Sequence, residues 1–78
     1  MQSVYLCLDS IDKVKGFVNI IAQMDGDFDL VSARYVVDAK SIMGIFSLDL
    51  SKSLRLDIHN DAAVDKLMPH IKDYIVDQ

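Results

Sequence analysis

Glutamate is missing from this 78-residue chain, so all 12 acidic side chains are aspartates, set against 8 lysines and arginines for a formal net charge of -4. The cations are scattered. Without a Lys/Arg cluster the chain lacks the electrostatic footprint of a nucleic-acid binder. Cysteine is nearly missing too: the lone Cys7 excludes an intramolecular disulfide and a cysteine-based zinc cage, which makes the cytoplasm the expected compartment. No apolar run approaches the ~20 residues that a bilayer-spanning helix needs, and no basic segment followed by an apolar one marks a secretory signal. Neither a membrane anchor nor export is expected. With 1 proline and 3 glycines there is no linker, repeat or low-complexity tract, and residues 1–78 read as one domain. So short a chain excludes a two-domain enzyme and a barrel of βα units, and it buries only about 60% of the surface its unfolded form exposes.

The apolar residues, 51% of the chain, fall into periodic groups. Val4, Tyr5, Leu6, Cys7 and Leu8 make a short β-rich run, read as a strand. Asp9 and Ser10 then offer caps for a helix whose wide apolar face is Ile11, Val14, Phe17, Val18, Ile20, Ile21 and Met24. Asp25-Gly26-Asp27 ends it, with Gly26 suited to a left-handed position. Residues 27–31 and 34–37 read as a hairpin around Ser32-Ala33, although that dipeptide is not the favoured chemistry for such a turn. Residues 41–48 open on the capping Ser41 and space Ile42, Ile45 and Phe46 as a short helix. Leu54-Arg55-Leu56-Asp57-Ile58 alternates strictly, sending Leu54, Leu56 and Ile58 inward and Arg55 and Asp57 outward. Asn60 and Asp61 cap a last helix with the stripe Val64, Leu67, Met68, Ile71, Tyr74 and Ile75, in which Pro69 predicts a kink or break near Met68. The order β-α-β-β-α-β-α, with one apolar side per element, predicts an α+β fold: a four-stranded antiparallel sheet with three helices on one face.

Several residue groups invite a chemical reading. Asp25-Gly26-Asp27-Phe28-Asp29 starts like a calcium loop, but Leu30 stands where the loop needs glycine and Val36 where it needs a bidentate glutamate. An acidic helix-to-strand turn is the better reading, and no metal site is expected. His59 and His70 have no partner at catalytic spacing and read as solvated or capping residues. Cys7 reads as a small core residue. Asp9, Asp12 and Asp38 read as carboxylates that cap or flank helix starts, where negative charge is favourable. No cofactor-binding motif is present.

The segment Lys40-Ser41-Ile42-Met43-Gly44-Ile45-Phe46-Ser47-Leu48 stands apart. It puts a hydroxyl at a helix start and follows it with more apolar residues than a two-turn helix can hide. Two readings stay open for Ile42, Met43 and Phe46: a partner-binding patch, or core.

This segment resembles the second signature of HPr, the histidine-containing phosphocarrier of the bacterial sugar phosphotransferase system. That family writes Lys-Ser-Ile-Met-Gly-Val-Met-Ser-Leu, which differs only at Ile45 and Phe46. The resemblance implies the HPr fold, an open-faced β-sandwich with the element order read above. It also locates a departure. The family's first signature, His-Ala-Arg-Pro-Ala, falls on Ser10-Ile11-Asp12-Lys13-Val14, so Ser10 stands in place of the phosphorylated histidine and Asp12 in place of the arginine that helps hold the phosphate. The resemblance puts His59 and His70 away from this helix start.

A serine phosphate is an unactivated monoester, whereas a carrier needs a bond that readily passes its phosphoryl group on. Asp12 also reverses the local field, since two like charges about 4 Å apart repel by roughly 4 kcal/mol at an effective dielectric of 20. Lys13 is available to compensate, as a point charge without the fork of arginine. Ser41 matches the family's regulatory serine, which a dedicated kinase phosphorylates in many Gram-positive bacteria. Around it, Ile42, Met43 and Phe46 match an apolar docking surface for kinase, phosphotransferase components and a transcriptional regulator. The expected function is that of a non-enzymatic, non-carrier HPr-like module for regulation or protein interaction. The alternatives are a phosphocarrier that uses a non-standard residue, and a structural dimerisation domain joined through Ile42, Met43 and Phe46. A monomer or weak homodimer is expected.

Overall fold

The computed structural model describes residues 2–76; residues 1, 77 and 78 of the expected domain lie outside the described residues. The elements are β1 (Gln2–Leu6), α1 (Ile11–Ala22), β2 (Phe28–Ser32), β3 (Tyr35–Asp38), α2 (Ile42–Phe46), β4 (Leu54–Ile58) and α3 (Asp61–Ile71). The strands form one antiparallel sheet in the order β1-β4-β2-β3. Its register aligns Val4, Leu56, Leu30 and Val37 across the strands. Because side chains alternate along a strand, that row shares one face with Leu6, Leu54, Phe28 and Ile58. The helices cover this face with Val14, Phe17 and Ile21 from α1, Ile45 from α2, and Ala63, Leu67 and Ile71 from α3, all part of one buried cluster. The result is the α+β open-faced sandwich read from the sequence.

Four local readings need correction. Ile11 starts α1 but is 61% exposed, because the buried side of that helix is Val14, Phe17 and Ile21. The hairpin turn is Ala33-Arg34, one residue later than read, with Ala33 in the left-handed region at φ 53. This register sets Val31 opposite Val36 and Leu30 opposite Val37, whereas the earlier turn would have set Asp29 against Val36. Helix α3 runs unbroken through Pro69 and ends at Ile71. The proline lies near the end of the helix, and Pro69 and Asp65 are both exposed, so the carbonyl that loses its partner is on the solvent side. Tyr74 and Ile75 leave the helical stripe altogether: Val76 N–H donates to Tyr5 O at 2.9 Å and Ile75 bridges Leu6, so the chain returns along β1.

The uncovered face carries the other alternation. Ser3, Asp57, Asp29 and Asp38 form one row across it, and Tyr5, Arg55, Val31 and Val36 the next. Asp57 lies on this outer face as expected, yet only 7% of it is exposed. Ser3 Oγ donates to its Oδ1 at 2.6 Å, and Arg55 grips both oxygens through Nε at 2.9 Å and Nη2 at 3.2 Å. Desolvation pushes the Asp57 carboxyl up, but the Ser3 and Arg55 bonds and the Arg55 charge outweigh it and hold the pKa below the ordinary value of 3.8.

A carboxyl whose folded pKa is depressed adds stability above its unfolded pKa and loses it as pH falls through the folded value. Asp57→Asn is therefore expected to lower the urea midpoint clearly at about pH 6 and much less below about pH 3. A gap of constant size across that range would remove the ionised carboxylate as its cause.

Candidate functional site

The residues singled out in the sequence gather at two helix starts. At the first, Ser10 is the N-cap of α1: its Oγ accepts the Lys13 N–H at 3.2 Å, and its carbonyl accepts the Val14 N–H at 3.1 Å. Asp12 lies in the first turn. Lys13, the cation nearest in sequence, is already engaged, with its Nζ 2.9 Å from Asp9 Oδ1. Each partner stabilises the other's charge: hydrogen bonding and attraction to Lys13 lower the Asp9 pKa, and the same contact raises that of Lys13. The pair is exposed and worth little to stability. Its chemical meaning is that the neighbours of Ser10 in sequence are two carboxylates, Asp9 and Asp12, and an ammonium already committed to one of them.

At the second, Ser41 is the N-cap of α2, and its Oγ accepts the Gly44 N–H at 3.1 Å. A Cβ on residue 44 would stand 3.1 Å from Ser41 Oγ and 3.3 Å from Val37 Cβ, so glycine is what lets this cap close against β3. Helix α2 is only five residues long, from Ile42 to Phe46. The three apolar candidates divide. Met43 is 77% exposed and Phe46 39% exposed, while Ile42 packs half-buried against the core and the deep position belongs to Ile45. The preceding Lys40 is turned away from the helix: its Nζ donates to Met24 O at 2.8 Å and lies 5.7 Å from the Phe28 ring centre. That bond ties the start of α2 to the C-terminal end of α1. Helix α1, at about 1.5 Å per residue, is some 18 Å long, and Ser10 caps its other end.

The remaining candidates are scattered. Cys7 sits just beyond β1, half-exposed rather than in the core, with its N–H donating to Tyr74 O. Asp38 does not cap α2; its Oδ1 accepts the Lys40 N–H and makes the turn before it. His70 is exposed in the last turn of α3. His59 is not simply solvated. Its Nε2 lies 2.7 Å from Asp29 Oδ2 at an open depression of about 320 Å³ lined also by Asp27, Phe28 and Asp38. Residues 29 and 59 are far apart in sequence, and only the β2–β4 register, which pairs Phe28 with Ile58, brings them together. Among the described residues no group of three or more histidine, cysteine or acidic side chains could hold a metal ion. No helix among them is long and apolar enough to cross a membrane.

No family model matches the sequence, and no curated protein matches it. The structure does match a solved one. It superposes on the crystal structure of HPr-C-His from Thermoanaerobacter tengcongensis with a TM-score of 0.77 and 22% sequence identity, over 94% of this chain and 89% of that one. At that identity the likeness establishes the fold, which is the HPr-like open-faced β-sandwich.

Both caps can be weighed by stability. Ser41→Ala leaves the Gly44 N–H without its acceptor and is expected to cost about 1 kcal/mol. In a domain of this size that lowers Tm by roughly 4–8 °C in a thermal scan. Ser41→Asp, which keeps an acceptor oxygen, is expected to retain most of the wild-type value.

Proposed function

We propose that this chain is a non-carrier HPr-like protein, an interaction or regulatory module linked to the bacterial sugar phosphotransferase system in the cytoplasm and switched by phosphorylation of Ser41. One observation carries the reading: where the HPr pattern has its phosphorylated histidine, the N-cap of α1 is Ser10, with its oxygen engaged as a cap and Asp9 and Asp12 close by in sequence. A phosphoryl group there would be an unactivated ester facing two carboxylates, with the one neighbouring ammonium already paired to Asp9. No step of phosphoryl relay is favoured by that arrangement, and the chain therefore has no phosphotransferase activity of its own.

The start of α2 supports the regulatory half. Ser41 is exposed, and Met43 and Phe46 beside it offer apolar surface of the kind a protein partner covers. Phosphorylation adds about -1.5 to -2 charges next to that surface, and Lys40, the ammonium next to Ser41 in sequence, is engaged at Met24. A partner that docks on neutral apolar side chains is repelled, and one that brings arginine is recruited. The binding partners in this reading are the kinase, phosphotransferase components or a transcriptional regulator.

Two incubations followed by intact-mass measurement test this. With ATP and a bacterial HPr kinase, a gain of about 80 Da, one phosphoryl group, is expected for the wild type and none for Ser41→Ala. With phosphoenolpyruvate and the first enzyme of the phosphotransferase system, no gain is expected. A gain in the second tube would make the chain a carrier, and no gain in the first would remove the switch.

A further inference from the structure

The sheet treats its two edges differently. At the C-terminal end of β1 the edge is occupied: Cys7 N–H donates to Tyr74 O at 2.8 Å, Val76 N–H to Tyr5 O at 2.9 Å, and Leu6 bridges Ile75. Along β3 no further strand pairs among the described residues. Proteins commonly blunt such an edge with lysine, proline or a bulge. β3 is Tyr35-Val36-Val37-Asp38, in regular register with β2, and its Tyr35 and Val36 are 66% and 61% exposed. The two-residue turn makes Ser32 and Tyr35 the hydrogen-bonded closing pair, so by the alternation of an antiparallel ladder the Val36 N–H and C=O point away from β2.

The charges say what fits there. Arg34-Tyr35-Val36-Val37-Asp38 has a cation at one end, a carboxylate at the other and apolar residues between, so it is complementary to itself when reversed. Arg34 is exposed and makes no ion pair among the described residues. Asp38 spends Oδ1 on the Lys40 N–H, which leaves its second oxygen open.

We propose that a second copy of this chain docks on this edge, β3 against β3 in antiparallel pairing about a two-fold axis at Val36. The Val36 N–H and C=O of each copy bond those of the other, and Arg34 of each copy faces Asp38 of the partner subunit. This interface is separate from the Met43 and Phe46 surface of α2. A four-residue strand buries well under the ~1,200 Å² of a standard stable interface, so the dimer is weak, with a dissociation constant on the order of 1 mM.

The test is a dilution series of the full chain, followed by two-dimensional amide NMR from about 1 mM to about 0.05 mM. Expected are concentration-dependent shifts centred on residues 34–38 and slower exchange of the Val36 amide at the high end. Arg34→Asp alone and Asp38→Arg alone each set like charges at both ends of the pairing and should weaken association by about tenfold, roughly 1.4 kcal/mol. Their equimolar mixture sets opposite charges at both ends and should restore it. Spectra that do not change with concentration overturn the proposal. So do shifts centred on Ile11, Met43 and Phe46, or a mixture that associates no better than either variant alone.

Discussion

The fold depends on β4 lying between β1 and β2. Its Leu54, Leu56 and Ile58 are fully buried, and Leu56 at its centre is set against Val4 on one side and Leu30 on the other. β1 comes from the opposite end of the chain, so apart from the β2–β3 hairpin no part of the sheet is local, and its pairings must close long loops. The same registration governs the outer face. It sets Asp29 directly across from Asp57 on one side and Asp38 on the other, contacts that like charges disfavour. Ser3 and Arg55 on Asp57, and His59 on Asp29, are the groups that offset this repulsion. The polar bonds of the open face are thus a consequence of how the core strands align.

The start of α1 shows how the groups that serve a helix's stability also disfavour a second anion beside them. An oxygen at Ser10 satisfies an orphan N–H, and Asp12 in the first turn and Asp9 just before the cap suit the positive end of the helix. Those same carboxylates oppose a second anion. Asp12 therefore favours the folded helix while working against a phosphoryl group at Ser10.

The sequence made the architecture legible because each element has one apolar side, and β4, whose pattern alternates without a break, was read with its correct bounds. The hairpin was misplaced by one residue because Ala33 is an unusual choice for positive φ, and turn chemistry gave no signal there. Asp57 was legible as outward but not as buried, since its cover comes from Ser3, 54 positions earlier. The His59–Asp29 contact was invisible for the same reason: it follows from register rather than spacing. At α2 the sequence left open whether Ile42, Met43 and Phe46 face outward or inward, and they divide, with Met43 and Phe46 exposed and Ile42 half-buried. Which residue loses the competition for the core depends on how α2 meets β3, and that favours Ile45 over Met43.

Tyr74 and Ile75 pack against the margin of the core, and with Val76 they also cover the sheet at the end of β1. With the C-terminal end of β1 covered, β3 is the edge left unpaired along its length among the described residues, and the proposed β3-to-β3 pairing closes at two copies. Were that short return lost, each subunit would present two unlike edges, and head-to-tail growth into open filaments would compete with closure. In the proposed pairing through β3, three backbone-paired residues at one margin of the domain are thus what separates a self-limiting assembly from a propagating one.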